Sequence, residues 1–177
     1  MKKVARTSLS QVVANYLDIE HILYHSGTTL RRIELISESE RAGCFILVNK
    51  FGPISLTTFN YYEYRPPHQF FQVAHIPFLT LRHLSTIVER EKGEVEVTVE
   101  VWLDLPLFLL PFKKIIEGFL RLQDRRIHEE DRNILERRYR LVGEDISDYL
   151  RPWQPLLFKK VFAETFGRKE GSGVSSL

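Results

Sequence analysis

The chain has 177 residues, of which 44% are hydrophobic and 27% charged, with a formal net charge of +2 at neutral pH. That length suits one domain with a substantial core, and so small a net charge excludes a strong electrostatic case for nucleic acid. A single cysteine, Cys44, excludes an internal disulfide and any all-cysteine metal site.

The opening Met1-Lys-Lys-Val-Ala-Arg6 lacks the apolar core of a signal peptide. The longest apolar run, Leu103 to Phe112, is broken by Asp104, Pro106 and Pro111 and is too short to span a bilayer. A cytoplasmic protein is expected. Twelve Phe and seven Tyr favour an aromatic-lined interior.

In chain order, residues 3–9 read as a short strand. Ser8 or Ser10 then caps a helix through Val12, Val13, Tyr16 and Leu17. Asp18 is a second cap, opening a short helix that carries His21 and His25 and ends near Gly27. Six strand-like stretches follow: 29–37, 44–51, 55–64, 70–76, 81–89 and 95–103. Turn signals at Arg41-Ala-Gly43, Gly52-Pro53, Pro66-Pro67, Pro77 and Lys92-Gly93 separate them. Val95, Val97, Val99 and Val101 alternate with polar residues, as in a half-buried antiparallel strand.

From Lys113 to Val142 the period becomes helical, with Ile115, Ile116, Phe119, Leu120, Ile127, Ile134 and Leu135 at steps of three and four. The domain is predicted to span 1–143, with an aromatic-rich extension over 144–167 packed on it and a disordered tail over 168–177. The order of elements predicts an α+β fold in which a curved antiparallel sheet wraps a long C-terminal helix and leaves a cavity between them.

Two features carry chemistry. His21 and His25 lie four apart, a spacing at which two imidazoles on an α-helix point the same way and can share a metal ion. On the long helix, Asp131 falls about 40° from Ile127, between Ile134 and Leu135. A carboxylate on an apolar stripe is costly unless it is paired, so Asp131 is expected to ligate a metal, to pair with Arg138, or to mark a locally exposed stripe. With both histidines it would complete a 2-His-1-carboxylate face, which suits Fe(II).

The order of elements resembles the START-like helix-grip fold. Asn15, Asp18, His21 and His25, followed by Glu130-Asp131-Arg-Asn-Ile134-Leu135-Glu136, resemble the catalytic domain of the Rieske-type non-haem iron oxygenases. The resemblance implies Fe(II) held by His21, His25 and Asp131, with Asp18 bracing a histidine in a catalytic role. The histidine spacing is the shorter variant of the family pattern. The Rieske 2Fe–2S cluster is absent, because it needs two Cys and two His and the chain has one Cys. An oxygenase of this kind would take its electrons from a separate electron-transfer protein.

Asn15, Tyr24, Phe59, Tyr61, Phe71 and Trp102 are candidates to line a pocket for a hydrophobic small molecule. The leading expectation is an oxygenase-like domain acting on an apolar ring compound. The alternatives are a metal-free START-like carrier or sensor and a non-redox metal-dependent enzyme. The many arginines of the long helix alternate with acids and read as a solvated face, not a nucleic-acid surface. Leu107-Phe-Leu-Leu110 and Leu156-Leu-Phe158 are expected to bury against the sheet, with membrane contact as the lesser reading.

Overall fold

The structure is a computed structural model that describes residues 2–24, 30–151 and 153–167, leaving aside the side chains of Ile22, Tyr24, Phe51 and Gln123. The expectations for His25, for a helix end near Gly27, for Tyr24 as a lining residue and for the tail therefore lie outside the described residues.

Seven strands form one curved antiparallel sheet: β1 Lys2–Ala5, β2 Leu30–Glu38, β3 Ala42–Phe51, β4 Ile54–Arg65, β5 Gln69–Ile76, β6 Leu79–Glu91 and β7 Glu94–Asp104. Their spatial order is β1-β7-β6-β5-β4-β3-β2. Strands β2 to β7 thus form a meander, and β1 returns to pair with β7, setting Lys2 opposite Thr98 and Ala5 opposite Val95. Alternation decides which face is covered. Thr58, Asn60, Tyr62 and Tyr64 of β4 are buried, as are Val95, Val97 and Val99 of β7.

A serine cap opens the first helix. This helix, α1 (Leu9–Leu17), begins where the Ser8 hydroxyl accepts a hydrogen bond from the Gln11 amide at 3.3 Å. Buried Gln11 in turn donates to the Gly143 carbonyl at 2.7 Å, tying α1 to the end of the long helix. A 3-10 segment, Ile19–Tyr24, follows α1. After β7 comes a second 3-10 segment, Leu107–Phe112, and then the long helix α2 (Lys113–Val142). Short α3 (Ser147–Leu150) and α4 (Lys159–Phe166) complete the chain.

Two different layers share the concave face. The residues after Gly143 fill one half: Phe158 stacks on Tyr62 and Tyr64 with ring centroids 6.3 Å apart, and Phe162 is fully buried. The Phe158 amide donates to the Glu38 carboxylate at 2.6 Å, and the Leu157 amide to the Leu17 carbonyl at 3.2 Å. Over the other half α2 passes above β1, β6 and β7, and space remains beneath it.

Two expectations change here. Ile115, Phe119 and Ile134 are exposed, because the inward stripe of α2 runs through Leu120, Asp124, Ile127, Asp131 and Leu135, and a residue one step away turns about 100° off it. Leu107, Phe108 and Leu110 are exposed instead of buried against the sheet, whereas Leu156 and Phe158 are buried. Phe78 closes the β5–β6 hairpin with φ +72°, in the place after Pro77 where a type II turn takes glycine. A left-handed conformation costs a non-glycine residue about 1–2 kcal/mol.

Candidate functional site

Asn15 near the end of α1, His21 in the first 3-10 segment and Asp131 in the middle of α2 meet beneath the sheet. Asp131 Oδ1 lies 3.2 Å from His21 Nε2 and accepts from Asn15 Nδ2 at 3.3 Å. Asn15 Nδ2 is also 3.5 Å from His21 Nε2. The His21 and Asp131 side chains are each 19% exposed, and Asn15 is buried.

The other imidazole nitrogen, Nδ1, hydrogen-bonds the backbone carbonyl of Asp18. A carbonyl only accepts, so that contact assigns a proton to Nδ1. Nε2 then faces a carboxylate oxygen with two chemical solutions. It carries a second proton, making an ion pair, or its lone pair shares a cation with Oδ1. Arg138, the other partner considered for Asp131, donates to Asp148 at 3.1 Å and lies over the Tyr149 ring at 4.3 Å.

The metal reading rests on three donors. His21 and Asp131 stand at a separation that two ligands of one ion can have, each about 2.0–2.2 Å from it. The third expected donor, His25, lies outside the described residues. Among the described residues no group of three His, Cys, Asp or Glu side chains gathers around one point. Among the described residues the donor set is the pair His21 and Asp131. The local backbone also differs from the expectation: Ile19–Tyr24 is a 3-10 segment with three residues per turn, so the i, i+4 alignment of an α-helix does not apply there.

Asp18 contributes its backbone carbonyl to His21. Its carboxylate takes a contact from Gln154 Nε2 at 3.5 Å through Oδ2, and Oδ1 is buried with no hydrogen bond among the described residues. Burial raises the Asp18 pKa, against the opposing pull of His21.

The remaining pocket candidates divide by strand parity. Phe59 and Tyr61 sit on the face of β4 opposite Tyr62 and Tyr64, and Phe71 lies opposite buried Phe70 with the Arg65 guanidinium 5.6 Å from its ring. These three line the outer face, because the buried positions of β4 and β5 are the even-numbered ones. Trp102 borders the larger cavity.

A second polar cluster went unread in the sequence. On α2, His128 Nδ1 lies 2.8 Å from the Asp124 carbonyl and 3.1 Å from Asp124 Oδ1, while Lys3 of β1 reaches Oδ2 at 3.4 Å. His83 of β6 lies within the field of both. Burial pushes the Asp124 carboxyl up, but His128 and Lys3 outweigh it and the pKa ends below the ordinary range. Burial lowers the Lys3 ammonium, partly offset by Asp124. Asp124 fixes the orientation of the His128 ring through Nδ1. One signal was available: 124, 128 and 131 follow the steps of four and three that carry Leu120, Ile127 and Leu135 inward.

This cluster divides two cavities. The larger, about 880 Å³, is lined by Leu81, Val99, Leu103, Leu120 and Ile127, with His83 and Asp124 among its polar walls. The smaller, about 410 Å³, carries Asn15, Tyr16, His128 and Asp131.

Burial also lowers the His83 pKa, with His128 acting the same way and Asp124 opposing. The unfolded chain therefore binds a proton at His83 more readily than the folded chain does. Stability from this group is complete above the unfolded value of about 6.5 and is lost as pH falls through the folded value. Chemical denaturation between neutral pH and pH about 5 is expected to show that loss in the wild type. The slope should be shallower in His83→Gln, and an unchanged slope would remove His83 as its source.

No protein-family model matches the chain, and no curated protein matches it in sequence. Solved structures do match in shape. The Zhui aromatase/cyclase from Streptomyces sp. R1128 superposes with a TM-score of 0.65 at 11% identity, over 82% of this chain and 96% of that one. A protein from Thermus thermophilus gives 0.60 at 12% identity, over 81% and 97%. The di-domain ARO/CYC StfQ of the steffimycin biosynthetic pathway gives 0.60 at 11%, over 79% of this chain and 45% of that one. At such identities the likeness speaks for architecture alone: the chain has the START-like helix-grip fold.

Proposed function

We propose that this domain binds a hydrophobic small molecule with one polar end, in the space between α2 and the sheet. The observation that carries the reading is the cavity of about 880 Å³, apolar along Leu81, Val99, Leu103, Leu120 and Ile127 and polar where His83 and Asp124 stand. Small-molecule pockets have that size and that mixture, with few polar groups fixing orientation. Two of the similar folds belong to aromatase/cyclases, which supports an organic occupant. The apolar body would lie along Leu120 and Ile127, with a hydroxyl or carbonyl turned toward His83 and the Asp124–His128 pair. Among the readings of the sequence, this favours the carrier or sensor over the oxygenase.

Titration with 1-anilinonaphthalene-8-sulfonate tests it. Saturable binding at one site is expected, weakened by about tenfold or more in Leu120→Trp, which fills the cavity from α2; that factor is about 1.4 kcal/mol. Non-saturating fluorescence, or full affinity in a folded Leu120→Trp variant, would sink the proposal.

A second reading has one observation in its favour. His21 Nε2 and Asp131 Oδ1 stand 3.2 Å apart while Nδ1 is committed to a carbonyl, a geometry that suits a shared cation. In this reading His21 and Asp131 would hold a mononuclear iron, with His25, which lies outside the described residues, as the third donor expected from the sequence, and the domain would be oxygenase-like with an external electron donor. If bound there, the metal would supply the oxygen chemistry, while the chain positions the substrate and excludes water. Asn15 would orient the Asp131 carboxylate.

A further inference from the structure

The end of the fold where the β5–β6 turn, the second 3-10 segment and the start of α2 come together is unusually apolar and open to solvent. Phe78 is 73% exposed, Leu107 84%, Phe108 63% and Phe112 54%. The 3-10 segment from Leu107 to Phe112 buries none of its residues. Phe78 meets Phe108 edge to face, with centroids 6.2 Å apart, so the two tips form one surface. Large contiguous apolar surface of this kind marks an interaction site.

Charge indicates the partner. Arg82, Lys113, Lys114 and Arg121 border the patch and the cavity behind it, against Asp104 and Glu117. Glu117 is shared between Lys113 and Arg121 at 3.8 and 3.5 Å, and Asp104 pairs with Arg82 at 2.8 Å. Lys114 is exposed beside them. Apolar tips projecting beyond a cationic border are the arrangement of an interfacial membrane anchor, with rings in the acyl boundary and cations at anionic headgroups. No helix among the described residues is long and apolar enough to cross a membrane.

We propose that this end docks on an anionic lipid bilayer. The larger cavity opens behind it, since Lys113 and Glu117 line that space along with Leu120 and Ile127. An apolar ligand would then pass between bilayer and cavity without crossing water, a consequence that rests on the ligand-binding role proposed above. The docking surface itself is testable without any ligand.

Co-sedimentation of the full chain with phosphatidylcholine vesicles, with and without phosphatidylglycerol, measures it. Binding is expected with phosphatidylglycerol, weakened by salt and by its omission. Phe108→Asp should reduce the affinity about tenfold or more, equivalent to about 1.4 kcal/mol. Phe78→Gly should also weaken binding while the melting temperature is held, because glycine accepts the left-handed turn. Wild-type protein that stays in the supernatant, or Phe108→Asp that binds as wild type does, would overturn the proposal. So would a dimer broken by Phe108→Asp in a protein that ignores vesicles. Anilinonaphthalene binding that is lost in Leu120→Trp but kept in Phe108→Asp, measured without vesicles, reports the cavity and not the tips, so failure of one proposal is distinguishable from failure of the other.

Discussion

Replacing Phe162 by alanine is expected to destabilise the protein by about 3–5 kcal/mol, the usual cost of deleting a fully buried aromatic ring. Phe162 is 0% exposed and sits in α4 against Phe166, with ring centroids 5.2 Å apart. Around it Tyr62, Tyr64, Phe70, Phe158 and Val161 belong to the same buried cluster. For a chain of this size the melting temperature should fall by roughly 10–15 °C. A loss under about 1 kcal/mol would mean that the segment after Gly143 is an appendage to a core complete without it. Phe166→Ala, at a partly buried position on the same helix, should cost less and serves as the local control.

That prediction also shows where a reading of sequence stops. The sheet was legible because its signal is local: Val95, Val97 and Val99 alternate with polar neighbours, and the turns carry Gly and Pro. The partners of 144–167 were not, because Phe158 finds Tyr62 and Tyr64 across a long separation in the chain that no periodicity encodes. The aromatics of β4 misled for a related reason. Phe59, Tyr61, Tyr62 and Tyr64 occupy both faces of the strand, so alternation alone does not choose between them; only Phe158 and Phe162 on one side settle which face is inner.

The site was legible in part. Asp131 stands out as an acid among Ile127, Ile134 and Leu135, and the structure brings it to His21 and Asn15. Asp124 lies on the same stripe, yet in sequence it is one of the acids interspersed among the arginines of the helix, so neighbours in sequence hide neighbours on the helix. The exposed Leu107–Phe112 segment had the composition of a core element. What keeps it out of the core is the fold: the half of the concave face beside it is spanned by α2, with a cavity beneath.

The pair His21 and Asp131 carries the second large effect, and it separates the two solutions for Nε2. If the second proton is there, the two side chains form a partly buried ion pair. A double-mutant cycle of His21→Ala and Asp131→Ala should then give a coupling energy of about 0.5–3 kcal/mol, the same with or without metal. Asp131→Asn would lose the charge but keep an acceptor for Asn15 Nδ2, which now donates at 3.3 Å, and should lose less than Asp131→Ala. If instead the lone pair shares a cation, stability becomes linked to metal concentration. Anaerobic Fe(II) at a hundred times its dissociation constant should then stabilise the wild type by about 2.7 kcal/mol, and both alanine variants should lose that gain. Wild-type melting that is indifferent to Fe(II), together with metal-independent coupling, would end the iron reading. It would leave Asp131, held by His21 and Asn15, as part of the wall of the smaller cavity.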